Sequence, residues 1–217
     1  MRTADLFDLS HTIAGEYLSQ FEYPWEAISG ISAFIEKIGP TLDPEEYNHI
    51  AENVWVHKTA KVLDSALLVG PVIIGPGSNV FHCALVRNGV LVGSGCTIGS
   101  SVEIRNTIMF DNVELCHFNY VGDSILGYHA HFGAGAITSN VKSDYSNIVI
   151  HGKSDINTNS WKIGAMIGDH VEVGCNSVLN PGTVIGKGSS IYPCISVRGV
   201  IPPSSIVKST SEIVPRR

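Results

Sequence analysis

From Ile50 to Cys116 every sixth residue is apolar: Ile50, Val56, Val62, Leu68, Ile74, Val80, Val86, Val92, Ile98, Ile104, Phe110 and Cys116. In a chain that is 44% apolar, such a run in one phase arises by chance with a probability of about 10⁻⁴ to 10⁻⁵. A period of six fits neither a helix nor a long alternating strand, so the chain must turn every six residues. Short strands joined by regular corners satisfy it: each apolar residue points into a narrow interior, and a glycine often follows at the bend, as at Gly75, Gly93, Gly127 and Gly168. Three segments make one triangular coil, and coils stack through parallel ladders about 4.8 Å apart. The pattern predicts an all-β solenoid.

After Cys116 the register slips, the next points being Leu126 and Phe132. Strict spacing returns at Ile167, Val173, Leu179, Ile185, Ile191 and Val197. The polar stretch between them predicts an inserted loop at 140–163, of a length more often functional than accidental. Residues 1–49 follow another pattern, with Pro24 at a helix start and Gly39-Pro40 at a stop. They are expected to form a small helical cap over the apolar end of the first coil. The expected organisation is therefore a cap at 1–49, a β-helix at 50–199 and a C-terminal tail at 200–217.

Bulk properties narrow the function. The length of 217 residues allows one solenoid with its cap. A net charge of −6 without a basic block makes nucleic acid an unsuitable partner. No apolar run is long enough for a membrane span and the start lacks a signal-peptide core, so a cytoplasmic location is expected. Five cysteines, an odd number without a Cys-x-x-Cys pair, read as buried reduced thiols.

Polar residues gather where the repeat breaks: Arg105, His117, Asn119, Tyr120, Asp123, His129, His131, Ser139 and Asn140. His117, following Cys116, should point outward, where a neutral imidazole can take a proton near pH 7. Arg87 and Arg105 are one coil apart and should stack on one edge, able to clamp a phosphate or carboxylate unless Glu103 neutralises them. His82 and His117 are thirty-five residues apart, one short of two coils, so their rings should diverge. His129 and His131 can share a face and join His117 of a neighbouring chain around zinc.

The segments His117-Phe-Asn-Tyr120-Val-Gly122-Asp123-Ser-Ile-Leu-Gly127 and Phe132-Gly133-Ala134-Gly135-Ala136-Ile137-Thr138-Ser139-Asn140 resemble the acetyltransferase half of the bacterial bifunctional enzyme that makes UDP-N-acetylglucosamine. The chain also resembles the C-terminal domains of archaeal sugar-1-phosphate nucleotidylyltransferases, whose ending is echoed by Gly164-Ala-Met-Ile-Gly-Asp169. The resemblance covers about residues 60–208. It implies a left-handed parallel β-helix of hexapeptide repeats, a homotrimer with sites between subunits, and acetyl-CoA as co-substrate with no metal required. By position it implies His117 as general base, with Arg87, Arg105, Tyr120 and His131 at the substrate, His131 replacing an asparagine. Ala134, Asn140, Val141, Cys175, Pro193 and Lys208 fall at acetyl-CoA positions. No counterpart of the nucleotidyltransferase half of those relatives is expected within these 217 residues: the first 49 are too few for its nucleotide domain, and no glycine-rich phosphate loop appears.

The leading expectation is N-acetylation of a hexosamine 1-phosphate or similar amino sugar in nucleotide-sugar biosynthesis. Two alternatives use the same fold: a γ-carbonic-anhydrase-like metalloenzyme, and a sugar-nucleotide-binding or regulatory module without turnover.

Overall fold

The computed structural model describes residues 1–216. It is a left-handed parallel β-helix whose ladder register sorts the inward residues into three columns, one per face of a triangular prism. The first face carries Val56, Ile74, Val92, Met109, Leu126, Ile167 and Ile185. The second carries Val62, Val80, Ile98, Leu115, Phe132, Val173, Ile191 and Val207. The third carries Leu68, Val86, Ile104, Val121, Thr138, Leu179 and Val197. Corners are tight, and several place a residue in the left-handed region, including Cys83, Ser101, Phe118, Asn176 and Cys194 after the second face.

The columns correct the sequence register. Only five residues separate Ile104 from Met109 and Val121 from Leu126, so two coils are one residue short. The inward residues are therefore Met109 and Leu115, not Phe110 and Cys116. Phe110 is nonetheless fully buried, because its ring lies 5.1 Å from that of Phe7 in the N-terminal segment.

That contact places the N-terminal segment elsewhere than the expected cap. The N-terminal residues do not sit over the end of the first coil; they run lengthwise down the first face. Their short helices, Thr3–Leu6, Gly15–Leu18 and Ile31–Ile38, cover a second, outward apolar row: Ile73, Leu91, Ile108, Ile125, Met166 and Val184. Neighbours in a strand point to opposite sides, yet all six of these residues are as inaccessible as the inward column beside them. From the other side Leu6, Leu18, Ile31 and Ile35 complete the layer, also fully buried. Each such side chain contributes about 1.5–3 kcal/mol.

Polar contacts set the direction of the strap. The amide of Asp8 donates to Asp169 Oδ2 at 2.8 Å, that of Asp169 to the Leu6 carbonyl at 3.1 Å, and that of Asp111 to the His11 carbonyl at 3.0 Å. At the other end Gly39 lies flat against Trp55, whose ring would stand 2.3 Å from a Cβ there. The strap thus runs antiparallel to the advance of the coils.

Residues 200–216 are not a tail. Val200–Ile201 and Ser205–Ser209 continue the ladders, and Glu212–Pro215 folds back antiparallel on the latter. Tyr47–Ala51 does the same at the start of the helix, so antiparallel strands terminate both ends of the prism. The expected loop at 140–163 has structure too: it leaves and re-enters at a Val141–Lys162 bridge and contains a hairpin of Val149–Ile150 with Ile156–Asn157. Buried Ile148 and Ile150 seat it against Gly182, and the Val200 amide donates to the His151 carbonyl. Among the described residues no helix is long and apolar enough to cross a membrane.

Candidate functional site

Two residues beyond each inward point of the second face, the chain turns a corner. One-coil steps along this corner place His82, Ser100, His117, Ala134, Cys175 and Pro193 in a single line. Pairing of Ser100 with His117 and the bonds Gly135 N–H to His117 O, Asn176 N–H to Ala134 O and Cys194 N–H to Cys175 O fix the row. The short coil before Leu115 brings His82 and His117 into this common row, where the sequence spacing had them diverging. They are two coils apart, about 10 Å, too far to share one ion within a chain.

His117 is exposed at this corner, and Phe118 beside it is 68% exposed. The left-handed backbone of Phe118 (φ 54°) is shared by Cys83, Ser101, Asn176 and Cys194, so it belongs to the corner and is no special strain at His117. Cys175 and Pro193, also exposed, extend the line upward. Lys208 lies one residue short of the row, and its ammonium bonds Glu212 Oε1 at 3.1 Å.

The third face begins at this corner. Arg87 and Arg105 are direct register partners, stacked as the eighteen-residue spacing predicts. Glu103 takes Arg87: Oε1 accepts from Nη2 at 2.6 Å and from Nε at 3.0 Å. Among the described residues Arg105 has no such acid, and its Nε is buried without a hydrogen-bond partner. Tyr120 pairs in register with Glu103, and its hydroxyl accepts from Asn140 Nδ2 at 3.2 Å.

Asn140 and Val141 lie at the far corner of the third face, not on the His117 row. There the buried carboxylate of Asp123 accepts from Asn140 Nδ2 and from Asn106 Nδ2 (2.8 Å), with Lys162 Nζ at 4.0 Å. This network ties the root of the inserted segment to the coil carrying Tyr120. The sequence cluster contained Asp123 and Asn140 but missed Asn106 and Lys162. An Asn and an Asp at equivalent corner positions with φ of 44° and 50° were the available signal.

His131 stands apart from the other substrate candidates. It projects from the second face, pairing in register with Glu114 and Glu172. Its Nδ1 lies 2.7 Å from Glu172 Oε2 and its Nε2 3.1 Å from Cys116 Sγ. His117 leaves from another edge than His129 and His131, so no single chain gathers them around an ion. Cysteine burial is also less general than expected. Cys96 is buried, with its thiol pushed up to about 12 by desolvation, and Cys116 is half-buried. Cys83, Cys175 and Cys194 are exposed, because the corners turn them outward. A hollow of about 600 Å³ lies far from this corner, between the strap, the inserted hairpin and the last coil, lined by Arg2, Trp25, Lys153 and Pro202 among others.

Comparison with known proteins adds sequence and fold relatives. Residues 50–154 match the family described as the GMPPB C-terminal domain. The chain is 32% identical over 200 residues to the bifunctional protein GlmU of Methanococcus maripaludis, covering 91% of this chain and 49% of that protein. It is 36% identical over 97 residues to the bifunctional sugar-1-phosphate nucleotidylyltransferase/acetyltransferase of Sulfurisphaera tokodaii, covering 44% of this chain and 24% of that one. The chain thus spans about half the length, or less, of these curated relatives. Among solved structures, the polySia specific acetyltransferase NeuO shares the fold with a TM-score of 0.51 and 16% identity, each chain covered to 76%.

Proposed function

Because the chain is a hexapeptide-repeat β-helix homologous to the bifunctional GlmU proteins, we propose that it transfers an acetyl group from acetyl-CoA to the amine of a hexosamine 1-phosphate or similar amino sugar. The observation that carries this reading is the single corner row of His117, Ala134, Cys175 and Pro193. It offers an extended ligand a straight, exposed track ending at an imidazole. The pantetheine arm of acetyl-CoA lies along Ala134, Cys175 and Pro193, with Lys208 near its far end. The thioester then sits at His117.

The amine nitrogen attacks the thioester carbonyl, forming the new C–N bond, and the tetrahedral adduct collapses by breaking the C–S bond. His117 takes the amine proton and returns it to the departing thiolate, a role worth about 10²–10⁴ in rate. Backbone amides near Ala134 face the oxyanion. Arg105, with a buried donor left unpartnered, binds the sugar phosphate, Arg87 joins it only when the phosphate displaces Glu103, and Tyr120 contacts the sugar. The thioester is already activated, so this chemistry asks for no metal.

Asn140 and Val141 reach the acetyl-CoA track of a neighbouring chain in a homotrimer. Exposed Leu67 (58%) and Val69 (42%), on the third face below Arg87, support such an assembly. One observation favours a second reading, a sugar-nucleotide-binding module without turnover: His131 is held by Glu172 on the second face, away from the His117 corner. Thiol release from acetyl-CoA with glucosamine 1-phosphate separates the two. The wild type is expected to exceed His117→Ala by at least about 10²-fold; equal rates at the level of buffer overturn the enzyme reading.

A further inference from the structure

On the second face, one edge away from the proposed acetyl-transfer track, four functional side chains converge that the transfer does not use. Glu114 and Cys116 project outward on either side of inward Leu115. His131 stands one coil on, in register with Glu114, and Glu172 one coil further, in register with His131. Donor atoms of Glu114, Cys116 and His131 all lie within 4.8 Å of one another. Glu172 holds His131 Nδ1 at 2.7 Å, which turns Nε2 toward Cys116 Sγ at 3.1 Å.

Two chemistries use such an arrangement. A thiol, an imidazole and a carboxylate in line also describe a nucleophile, its base and the group that orients the base. Charge decides against that: activated cysteines lie in electropositive surroundings. Among the described residues, the hollow here is lined by Asn112, Glu114, His129, His131 and Glu172 with no lysine or arginine; Arg216 lines only the adjoining hollow, against His129, His170 and Glu172. Carboxylates around a thiol repel a bare thiolate and attract a cation.

We propose that Glu114, Cys116 and His131, with Glu172 fixing the imidazole, form a binding site for a divalent transition-metal ion of the zinc class. A thiolate, a neutral imidazole and a carboxylate balance the two positive charges of such an ion. Zinc bonds of about 2.0–2.3 Å separate neighbouring ligand atoms by roughly 3.2–3.8 Å. The 3.1 Å between sulfur and nitrogen then needs to open by only a few tenths of an ångström. The carboxylate–imidazole–metal relay is the usual way a histidine ligand is oriented, and water completes the fourth position. On binding, the Cys116 S–H bond breaks and its proton passes to solvent as the sulfur–metal bond forms.

The site has a mechanical consequence. Its ligands come from two successive coils, and Glu172 belongs to the next, which the chain reaches only after the inserted segment. The ion therefore ties two coils directly, and the Glu172–His131 bond carries that tie to the third coil, where covalent continuity is most indirect. It does not depend on acetyl transfer and survives if that reading fails.

The test uses the full chain, stripped with a chelator and titrated with cobalt(II), then zinc. One equivalent of cobalt per chain is expected, with an intense thiolate-to-metal absorption that zinc displaces. Saturating zinc should raise Tm by about 5 °C. Cys116→Ser should abolish the absorption, His131→Gln and Glu114→Gln should each weaken cobalt binding at least about tenfold, and Cys83→Ser should leave both unchanged. Circular dichroism of the metal-free variants checks that they fold. Absence of cobalt–thiolate absorption in the folded wild type, or the same absorption in Cys116→Ser, overturns the site.

Discussion

The first and third faces of the prism share one backbone and one inward register, yet they have opposite outward rows. On the first face the row is Ile73, Leu91, Ile108, Ile125, Met166 and Val184, sealed beneath the N-terminal strap. On the third face the positions flanking the inward column hold Leu85, Glu103 and Tyr120 on one side and Arg87 and Arg105 on the other, open to a ligand or another chain. The inward columns build the coil; the outward rows decide what covers it. A covered face contributes stability, whereas a bare one leaves charge and hydroxyls available for chemistry.

The strongest test of that contrast buries a charge. Ile108→Asp sets a carboxylate between strap and sheet and should cost on the order of 4 kcal/mol, seen as loss of a cooperative thermal transition. Arg198→Asp, on the third face, should change stability by no more than about 0.5 kcal/mol. An unaffected Ile108→Asp would mean that the strap does not pack as described. Phe7→Ala should cost about 3 kcal/mol in chemical denaturation. A double-mutant cycle with Phe110→Ala should return a coupling of about 0.5–1.5 kcal/mol, the signature of direct ring contact; additive effects would separate the two rings.

On the open side, Arg105→Ala should raise the KM for the amino sugar phosphate about 10- to 100-fold, as expected for one charge-assisted contact. Tm should move by no more than about 2 °C. A large fall in Tm with unchanged KM would make Arg105 a structural residue. The smallest effect is chemical. At pH 8 an alkylating agent should modify exposed Cys83, Cys175 and Cys194 and spare Cys96. Burial pushes the Cys96 thiol up to about 12, so its reactive thiolate is scarce four units below that value. Cys116, also pushed up by burial and by nearby Glu114, should react slowly. Peptide mapping reads all five sites, and acetyl-CoA should protect Cys175.

The six-residue period made the coil legible because each inward side chain needs the same narrow apolar slot. It placed Arg105 above Arg87 correctly for the same reason. It failed where a coil lost a residue: Phe110 and Cys116 are apolar enough to prolong the count, although Met109 and Leu115 fill the slots. That hid the common row of His82 and His117. The strap was hidden differently, since its partner row recurs every eighteen residues and not every six. Paired apolar residues such as Ile73-Ile74, Leu91-Val92 and Ile125-Leu126 carried the signal that this one face is covered on its outer side. The inserted hairpin and the final strands are too short to show a period of their own. Site residues that come from separate coils, such as Cys116, His131 and Glu172, meet only when the ladder register is known.

A crystal structure with acetyl-CoA bound decides whether the His117 corner is the transfer track. Density is expected along the corner formed by Ala134, Cys175 and Pro193, with the thioester carbonyl beside His117 and no displacement of the strap from the first face. Acetyl-CoA seated instead in the hollow between strap, hairpin and last coil, or absent from the His117 corner at saturating concentration, would rule out transfer at His117.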